Sequence, residues 1–495
     1  MAELLKNMTD IAGLDVILCG GLVEKRSYLV RGKAGTGKTT LGLHYLTAED
    51  ASTRKNLFIT FGESTEQIKS NAQAINLDVS AIEFLDLSPS SKFFSELETY
   101  DIFSSSEVER EPITRAITQK LDDLKPERVF IDAMTQLHYL STDSYDFRRY
   151  ILSFLRYLME RHITILFTSE DSNSVPDDDL QFIADGVIHL RHEVERRSIR
   201  IVKSRGSDFI GGYHTMRLTN EGIIVYPRLI EPESPERVYN EKPVASGIAE
   251  LDEMLHGGLE RGTVSLITGP TGVGKTTVGL QFMKEAAGRG ERSVIYTFEE
   301  DDVTIKKRCE GINIPVHEML ANGMLTIVQI EPLQLTPDEF SHMVRHEVED
   351  FDTRIVMIDS ISGYRLSMQG DDLIKHLHIQ TKYLRMKGVT VLLLNEVHRL
   401  ADPIRATEID VSYLMDSIIY MQYIESQGAL KRAIGVLKKR VSDFEKTMRE
   451  FEFTQYGIRV SKPLLDLRGL LTGNPTWHEQ DKDTSQKGGK QSDNE

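Results

Sequence analysis

Short apolar runs alternate with longer amphipathic stretches along the chain. In the first half, residues 27–30, 56–60, 128–131 and 164–167 form runs that are bounded by turn residues and are too short for helices, as is typical of buried strands. Between them lie stretches with helical periodicity, such as residues 147–161. The alternation predicts an α/β fold, in which helices flank a mainly parallel sheet that binds ligands at the carboxyl ends of its strands.

The pattern occurs twice, because the second half of the chain repeats the first. Residues around Lys38 recur 237 positions later around Lys275, together with the Gly-Gly-Leu triplet that begins at Gly20. Gene duplication is the simplest explanation of so long a period. A chain of 495 residues also exceeds the roughly 250–300 residues at which a single core stops growing. Two α/β domains are therefore predicted, over residues 1–230 and 231–472.

Three further stretches have the composition of irregular chain. The offset between the repeats falls to 227 at Asp132 and Asp359, so the first half carries extra residues, which we assign to the Ser- and Glu-rich stretch 88–111. Proline and charged residues cluster at 227–243, where we expect the linker. The polar segment 473–495 is predicted to be a disordered tail.

Composition favours a soluble globular protein. Apolar residues make up 40% and charged residues 27% of the chain. No apolar run reaches the roughly 18 residues that span a bilayer, and the N-terminus lacks the pattern of a signal peptide, so we expect a cytoplasmic protein without a membrane partner. Cys19 and Cys309 are expected to be packing residues. A formal net charge of −17 makes nucleic acid an unlikely partner.

Each half contains a phosphate-binding loop of the form G-x-x-x-x-G-K-[ST]. GKAGTGKT at 32–39 and GPTGVGKT at 269–276 both follow an apolar strand and precede an apolar helix, which is the context that the motif requires. Backbone N–H groups and the helix N-terminus would hold the phosphates of ATP. A chance glycine-rich turn is the alternative, which two copies at equivalent positions argue against. The predicted nucleotide-binding residues are Gly35, Thr36, Gly37, Lys38, Thr39, Thr40, Gly272, Val273, Gly274, Lys275, Thr276 and Thr277.

Groups beside the phosphates are predicted to hold Mg²⁺. Thr39 and Thr276 offer a hydroxyl at the end of each P-loop, and Asp132 and Asp359 each end an apolar run, as a Walker B carboxylate does. An Asp that only opens a turn is the alternative, which the nearby P-loops disfavour. ATP and Mg²⁺ are therefore the expected cofactors.

Carboxylates also follow the second predicted strand of each half, across the nucleotide from the P-loop. The first half has Glu63, preceded by Gly62, whereas the second half has Glu299 and Glu300. One carboxylate would orient or deprotonate the attacking oxygen, and Glu299 is also a candidate metal ligand. A solvated glutamate after a strand is the alternative.

A Lys-x-Arg pair follows a late apolar strand in each half. The first pair is Lys203 and Arg205, followed by Ser207, and the second is Lys438 and Arg440. In ring ATPases such pairs enter the nucleotide site of a neighbouring subunit as arginine fingers. A solvated hairpin tip is the alternative, which the duplication of the pair disfavours.

Together, the Gly-Gly-Leu triplets, P-loops, Phe-x-Glu segments, Walker B aspartates and Lys-x-Arg-x-Ser segments resemble the KaiC family of tandem RecA-like ATPases, over nearly the whole chain to about Thr472. The resemblance implies two RecA-like domains in a two-tiered homohexamer with ATP between subunits. The first tier would be chiefly an ATPase, and the second an autokinase and autophosphatase. The resemblance also implies phosphoacceptors at Ser412 and Tyr413, with Glu299 as the base toward Ser412.

Three departures from the family pattern bear on these implications. The clock proteins of the family carry a Ser-Thr acceptor pair, whereas the second position here is Tyr413. The resemblance therefore does not imply that two acceptors are phosphorylated in a fixed order. Gly62 replaces one glutamate of the first tier, which would slow or alter hydrolysis there. The segment after Gly473 does not resemble the clock proteins' segment for their activating partner. The chain is therefore most similar to the non-clock KaiC-like proteins of bacteria and archaea.

The sequence supports one principal interpretation and two alternatives. The principal one is a hexameric ATPase with Ser/Thr autokinase activity that acts in signalling or regulation. This interpretation allows a regulatory protein as a partner. A RecA-like nucleic-acid motor would share the core, but the sequence lacks a basic stripe interleaved with aromatic residues. A nucleotide-switched scaffold without kinase activity is the second alternative.

Overall fold

The computed structural model describes residues 4–49, 54–91, 106–140, 144–171, 177–194, 196–230, 242–368, 373–397, 412–426, 428–465, 467–468 and 476–477, and of residues 106–111, 138–140, 144, 412, 426, 467–468 and 476–477 it describes the backbone alone. Contacts divide the chain into two compact units, Met1–Arg228 and Leu229–Glu495. Most of the predicted linker, the centre of the predicted insertion and nearly all of the predicted tail lie outside the described residues.

The first unit is built on a nine-stranded sheet. In space the strands follow the order β11-β10-β9-β8-β3-β7-β6-β4-β5. The six strands from β8 to β5 run parallel, and β9, β10 and β11 extend the sheet in antiparallel fashion. The strands of this unit are β1 (Lys6–Asn7), β2 (Leu22–Val23), β3 (Ser27–Gly32), β4 (Asn56–Thr60), β5 (Ile82–Asp86), β6 (Arg128–Asp132), β7 (Thr164–Glu170), β8 (Gly186–His192), β9 (Arg197–Ser204), β10 (His214–Thr219) and β11 (Gly222–Tyr226).

The second unit repeats this topology. Its sheet has the order β14-β13-β15-β16-β12-β17-β18-β19-β20, again with six parallel strands followed by three antiparallel ones. The strands are β12 (Val264–Gly269), β13 (Ser293–Thr297), β14 (Leu325–Gln329), β15 (Ile355–Asp359), β16 (Thr390–Glu396), β17 (Ser417–Ser426), β18 (Ala429–Lys439), β19 (Arg449–Thr454), β20 (Gly457–Pro463), β21 (Leu467–Arg468) and β22 (Thr476–Trp477).

Helices cover both faces of each sheet. Those of the first unit are α1 (Leu14–Ile17), α2 (Lys38–Thr47), α3 (Thr65–Ala74), α4 (Ser106–Leu124), α5 (Ser144–Glu160) and α6 (Asp178–Ile183). Those of the second unit are α7 (Ala249–Met254), α8 (Lys275–Gly288), α9 (Asp302–Glu310), α10 (Val316–Ala321), α11 (Pro337–Phe351), α12 (Ile361–Ser367) and α13 (Leu373–Met386), and short 3₁₀ helices occupy Met134–Leu140 and Ser412–Leu414. Among the helices described, none is long and apolar enough to cross a membrane.

Alternation along the strands divides the interior of each unit into two cores. In β3, Tyr28 and Val30 face the core that contains α2 and α3, whereas Leu29 faces the core that contains α4 and α5. Helix α5 buries Phe147 and Ile151 against that second face, at the four-residue spacing of one helix stripe. The predicted fold class, two tandem RecA-like α/β domains, is confirmed.

A glycine lets each P-loop helix lie close to its sheet. A Cβ atom added at Gly42 of α2 would stand 2.1 Å from Cζ of Phe130, and one added at Gly279 of α8 would stand 2.4 Å from Sδ of Met357. Phe130 and Met357 lie on β6 and β15, each two residues before the aspartate that ends the strand. The close approach therefore brings the first turn of the P-loop helix next to that aspartate.

Replacing Gly42 by alanine is expected to destabilise the protein although alanine is the better helix former. The added methyl group meets a rigid buried ring, and overpacking of this kind costs about 1–3 kcal/mol. Gly288 of α8 provides the matched control, because a Cβ there meets no atom within 4 Å and Gly288→Ala should be neutral or stabilising by up to about 1 kcal/mol. Urea unfolding followed by circular dichroism measures both, and an unchanged midpoint for Gly42→Ala would contradict the packing argument.

Candidate nucleotide sites

The P-loop of the second unit joins β12 to α8 at the carboxyl edge of the sheet. Gly272 and Gly274 have φ values of 74° and 111°, in the left-handed region that favours glycine. Val273 between them is fully buried in the core, so the loop presents its backbone rather than this side chain to the cavity. Gly274 caps α8 without a side-chain hydrogen bond. The N–H groups of the first helical turn are therefore directed to a ligand, as phosphate binding requires.

The first unit forms the same loop from a slightly different sequence. Gly35 and Gly37 have φ values of 74° and 98°. Between them Thr36 takes the place of Val273, and its Oγ1 donates to Lys33 O at 2.9 Å. The two central glycines of each P-loop therefore have closely similar φ values. Thr40 and Thr277, the last predicted residues of each motif, lie in the first turns of α2 and α8.

The P-loop lysines are held by backbone carbonyls. Lys275 Nζ donates to Gly269 O and Pro270 O, both at 3.0 Å, and Lys38 Nζ makes the equivalent bonds to the carbonyls of residues 32 and 33 at 2.8 and 3.0 Å. Burial lowers the pKa of Lys275, and the nearby Glu396 opposes this effect. The ammonium group lies at the floor of the loop, where it can neutralise a β- or γ-phosphate.

A threonine hydroxyl and an aspartate are joined beside each P-loop. Thr276 Oγ1 donates to Asp359 Oδ2 at 2.7 Å, and Thr39 Oγ1 donates to Asp132 Oδ2 at 2.6 Å. Burial raises the pKa of Asp359 to about 6, the Thr276 hydroxyl opposes this shift, and nearby carboxylates add to it. The peptide bond after each aspartate is cis. One hydroxyl and one carboxylate fit Mg²⁺, which keeps several waters and takes phosphate oxygens as its other ligands.

No group of three or more His, Cys, Asp and Glu side chains among the described residues is arranged to hold a metal ion. A metal ion at these sites would therefore depend on nucleotide phosphates for part of its coordination. Glu299, the third candidate ligand of this unit from the sequence, accepts a hydrogen bond from Ser360 Oγ at 2.8 Å.

The second unit has a carboxylate held by a hydroxyl at the mouth of its site. Ser360 Oγ donates to Glu299 Oε1 at 2.8 Å and accepts from Gly363 N at 3.0 Å as the cap of α12. In the first unit, Gly62 and Ala133 stand at the equivalent positions. The carboxylate and the hydroxyl that orients it are therefore both absent from the first site.

The next carboxylate occurs in both units but has different partners. Glu300 forms an ion pair with Arg308 of α9, whereas Glu63 Oε2 accepts from Asn71 Nδ2 at 3.4 Å. A charge-assisted bond is stronger than a bond from a neutral amide. Glu300 is therefore restrained by a charged neighbour, while Glu63 is exposed and held only weakly.

A cavity of about 360 Å³ in the second unit joins these groups. Arg432 and Phe453 close one side of it, and the guanidinium group of Arg432 lies 5.1 Å from the centre of the Phe453 ring. A Cβ added at Gly274 would stand 2.1 Å from Phe453 Cζ, so this ring packs directly on the P-loop. The lining residues outside the P-loop that were not predicted from the sequence are Thr297, Arg308, Ile312, Ser360, Glu396, Arg432 and Phe453.

A larger cavity, of about 590 Å³, lies at the opposite edge of the second sheet and has no P-loop residue in its lining. Arg261 and Arg292 line it, and their guanidinium groups form ion pairs with Glu291 and Glu347. These arginines are engaged within the unit, and the phosphate-binding features all belong to the smaller cavity.

The Lys-x-Arg pairs lie at the amino edge of each sheet, away from the P-loop of the same unit. Lys203 Nζ donates to the backbone carbonyls of Gln181, Phe182 and Ala184 at the end of α6. Arg205 is half-exposed and its Nη1 lies 3.7 Å from Asp185 Oδ1. Ser207 Oγ donates to the carbonyl of the next residue at 3.0 Å.

The second pair adjoins the predicted phosphoacceptors. Arg440 Nη2 donates to Tyr413 O at 2.6 Å, and its Nη1 lies 3.8 Å from Asp416 Oδ1. Burial lowers the pKa of Lys438, and Arg440 lowers it further. The side chain of Tyr413 is 54% exposed. Ser412 begins a short 3₁₀ helix. The structure describes its backbone but not its side chain.

The strand register separates the predicted acceptors from the P-loop of the same chain. Ser417, at the start of β17, pairs with Ser265 near the start of β12, whereas the P-loop begins at Gly269. Four residues of strand span about 13 Å, and the backbone carbonyl of Tyr413, next to Ser412, accepts a hydrogen bond from Arg440 at the amino edge. An acceptor at Ser412 is therefore at the wrong edge of the sheet to reach a nucleotide bound by its own unit.

Comparison with known proteins identifies the family. The family model described as "ATPase: KaiC" matches twice, over residues 7–230 and 244–464. The chain is 28% identical over 490 residues to the circadian clock oscillator protein KaiC of Picosynechococcus sp., covering 95% of this chain and 92% of that protein. It is 27% identical to the proteins of the same name from Acaryochloris marina, over 96% of this chain and 92% of that protein, and Synechococcus elongatus, over 95% and 92%. The two matched P-loop units and this coverage show that the chain belongs to the KaiC family of ATPases.

Proposed function

We propose that this ATPase forms a homohexamer in which the first unit mainly hydrolyses ATP and the second unit transfers phosphate to a serine of a neighbouring subunit. The observation that carries the proposal is the Glu299–Ser360 pair, which the second unit has and the first unit lacks. A carboxylate with a fixed orientation suits proton abstraction from a hydroxyl. We further propose a cytoplasmic location and a regulatory protein partner.

The separation of the two sheet edges supports an assembly of several chains. The P-loop lies at the carboxyl edge, and Arg440 and Ser412 lie at the amino edge of the same sheet. Neither group lies at the edge where its own unit would bind nucleotide. When copies are arranged head to tail, the amino edge of one meets the carboxyl edge of the next, and such heterologous contacts form a ring when the rotation between copies closes.

Phosphate transfer in the second unit would proceed by in-line displacement. Ser412 Oγ of one chain attacks the γ-phosphorus of ATP on the neighbouring chain, the bond to the β–γ bridging oxygen breaks, and ADP leaves. Glu299 of the ATP-bound chain takes the serine proton and passes it to water. Lys275 and the phosphate-binding N–H groups offset the negative charge of the leaving diphosphate. Bound Mg²⁺, held by Thr276 and Asp359, would add positive charge beside the phosphates.

Hydrolysis in the first unit would use the same phosphate-binding groups with a weaker base site. Glu63 is the candidate to orient the attacking water, and Lys38 neutralises the phosphates. Arg205 and Lys203 of a neighbouring copy would approach the γ-phosphate. Because Gly62 and Ala133 replace the held carboxylate of the second unit, we expect turnover at the first site to be slow.

The two P-loop lysines are expected to have separable roles. Lys275→Ala should remove phosphate incorporation from γ-labelled ATP, because it removes the cation that contacts the donor phosphates of the second site. Lys38→Ala should instead lower steady-state hydrolysis and leave incorporation largely intact. Radiolabel incorporation and phosphate release are measured on each full-length variant. Equal incorporation in the two variants would contradict the division between the units.

Phosphate transfer is expected to occur between chains. Lys275→Ala chains have an acceptor but no competent donor site, and Ser412→Ala chains have a donor site but no acceptor. Neither variant should be labelled alone, whereas a co-assembled mixture carrying different tags should be labelled on the Lys275→Ala chain. Gel separation of the two tagged chains reads this out. Label on the Ser412→Ala chain would instead point to another acceptor, for which Tyr413→Phe in that chain is the control.

Ser360 is expected to act through Glu299. Glu299→Gln should slow the first turnover of phosphate transfer by about 10²–10⁴-fold, since it removes the base. Ser360→Ala should slow it less, by about tenfold, and should add no further loss to Glu299→Gln. Single-turnover labelling with saturating ATP measures all three variants. Additive losses would show that Ser360 does not work through this carboxylate.

A further inference from the structure

Each Lys-x-Arg hairpin is tied to its own unit by backbone hydrogen bonds on either side of its turn. In the first unit, Arg205 N donates to Asp185 O at 3.0 Å, and Ile210 N donates to Ile17 O at 2.8 Å. The second unit repeats both bonds at the equivalent positions, each at 2.9 Å. Side chains make further contacts to the turn residues that lie between these two backbone bonds.

In the second unit the turn is fixed by a buried ammonium group from the hairpin itself. Lys439 Nζ donates to Leu255 O, at the end of α7, and lies 2.9 Å from Glu260 Oε1. The same carboxylate oxygen accepts from Ser442 Oγ at 2.7 Å. The Lys439 side chain is 1% exposed, so water screens its ion pair little, and the exposed Ser442 links the turn to that pair.

The first unit places an ammonium group in the same position from a distant part of the chain. Ser204 stands where the second hairpin has Lys439. Lys6, in the amino-terminal strand β1, fills the role: its Nζ donates to Leu18 O at 3.2 Å and to Cys19 O at 2.7 Å. Leu18 follows α1 as Leu255 follows α7, so both lysines cap the equivalent helix.

Lys6 also contacts the turn that carries the first Lys-x-Arg pair. Its Nζ donates to Ser207 Oγ at 2.8 Å, and Ser207 is the equivalent of Ser442. Leu4 packs against the same turn, since a Cβ added at Gly206 would stand 3.3 Å from Leu4 Cδ1. Two side chains of the amino-terminal segment therefore contact the residues directly after Arg205.

The base of this segment is anchored in the core. Asn7 is fully buried, its Nδ2 donates to Thr164 Oγ1 at 3.0 Å, and its Oδ1 accepts from Arg54 Nη1 at 3.2 Å. Strand β1 also pairs with β2. Lys6 thus extends from a fixed point, and its contact with the turn restrains the turn relative to the sheet.

We propose that Lys6 is a positioning residue for Arg205, through which residues 4–8 set the rate of ATP hydrolysis at the first-unit site of the neighbouring copy. The inference rests on the proposed role of Arg205 as an arginine finger. Such a group stabilises the transition state only when it is held at the developing charge. Because the second hairpin has its own lysine, this control acts on the first unit alone.

The test uses the full-length chain carrying Lys275→Ala, so that hydrolysis reports on the first site. Lys6→Met keeps the apolar stem and removes the charge; kcat should fall about tenfold, as expected for a misplaced catalytic group. KM for ATP should stay unchanged, because the phosphate-binding residues are untouched. Lys6→Arg should restore most of the rate. Lys55→Met, at an exposed lysine of the same unit, is the matched control and should leave the rate unchanged.

The double variant Lys6→Met/Arg205→Ala shows whether Lys6 acts through Arg205 or independently of it. If Lys6 acts through Arg205, Lys6→Met adds no loss to Arg205→Ala. If Arg205→Ala lowers the rate and Lys6→Met does not, the role of Arg205 as an arginine finger is supported and the positioning role of Lys6 is overturned. If Arg205→Ala has no effect, the proposed finger itself is wrong. Additive losses accompanied by a lower melting temperature would mean that Lys6 only stabilises the fold, which also overturns the proposal.

Discussion

The direction of the parallel strands constrains everything else in this protein. Strands that run the same way bring their carboxyl ends to one edge, where the P-loop presents its N–H groups, and their amino ends to the other, where the Lys-x-Arg hairpin lies. Strand length keeps the two edges more than about 10 Å apart. Each unit therefore carries both halves of a nucleotide site on opposite edges of its own sheet, and our proposal of a ring follows from that separation.

The two units have the same fold and differ in their candidate sites, where the differences include a contacting pair. Glu299 and Ser360 of the second unit correspond to Gly62 and Ala133 of the first. Losing only the serine would leave a carboxylate without its orienting donor, and losing only the glutamate would leave a hydroxyl without its acceptor. The same logic applies to the Lys-x-Arg turns, where an ammonium group is retained although its source in the chain differs.

The sequence predicted the fold and the phosphate-binding groups because these depend on local signals. Strand length, apolar alternation and the spacing within GPTGVGKT are visible over a few residues, and the two copies support each other. The lining of the cavity was not predictable in this way. Arg432 and Phe453 come from antiparallel strands that return to the P-loop long after it in the chain. Ser360 and Lys6 belong to no motif, and their contacts with Glu299 and Ser207 arise only when distant parts of the chain fold together.

Native mass spectrometry after incubation with Mg·ATP tests whether phosphate transfer needs a ring, because it reports the number of chains and the number of added phosphates together. We expect a hexamer whose chains gain phosphate, and we expect chains kept monomeric by dilution to gain none. Phosphate incorporation by an isolated monomer would contradict the proposal, because the transfer would then not need a neighbouring copy.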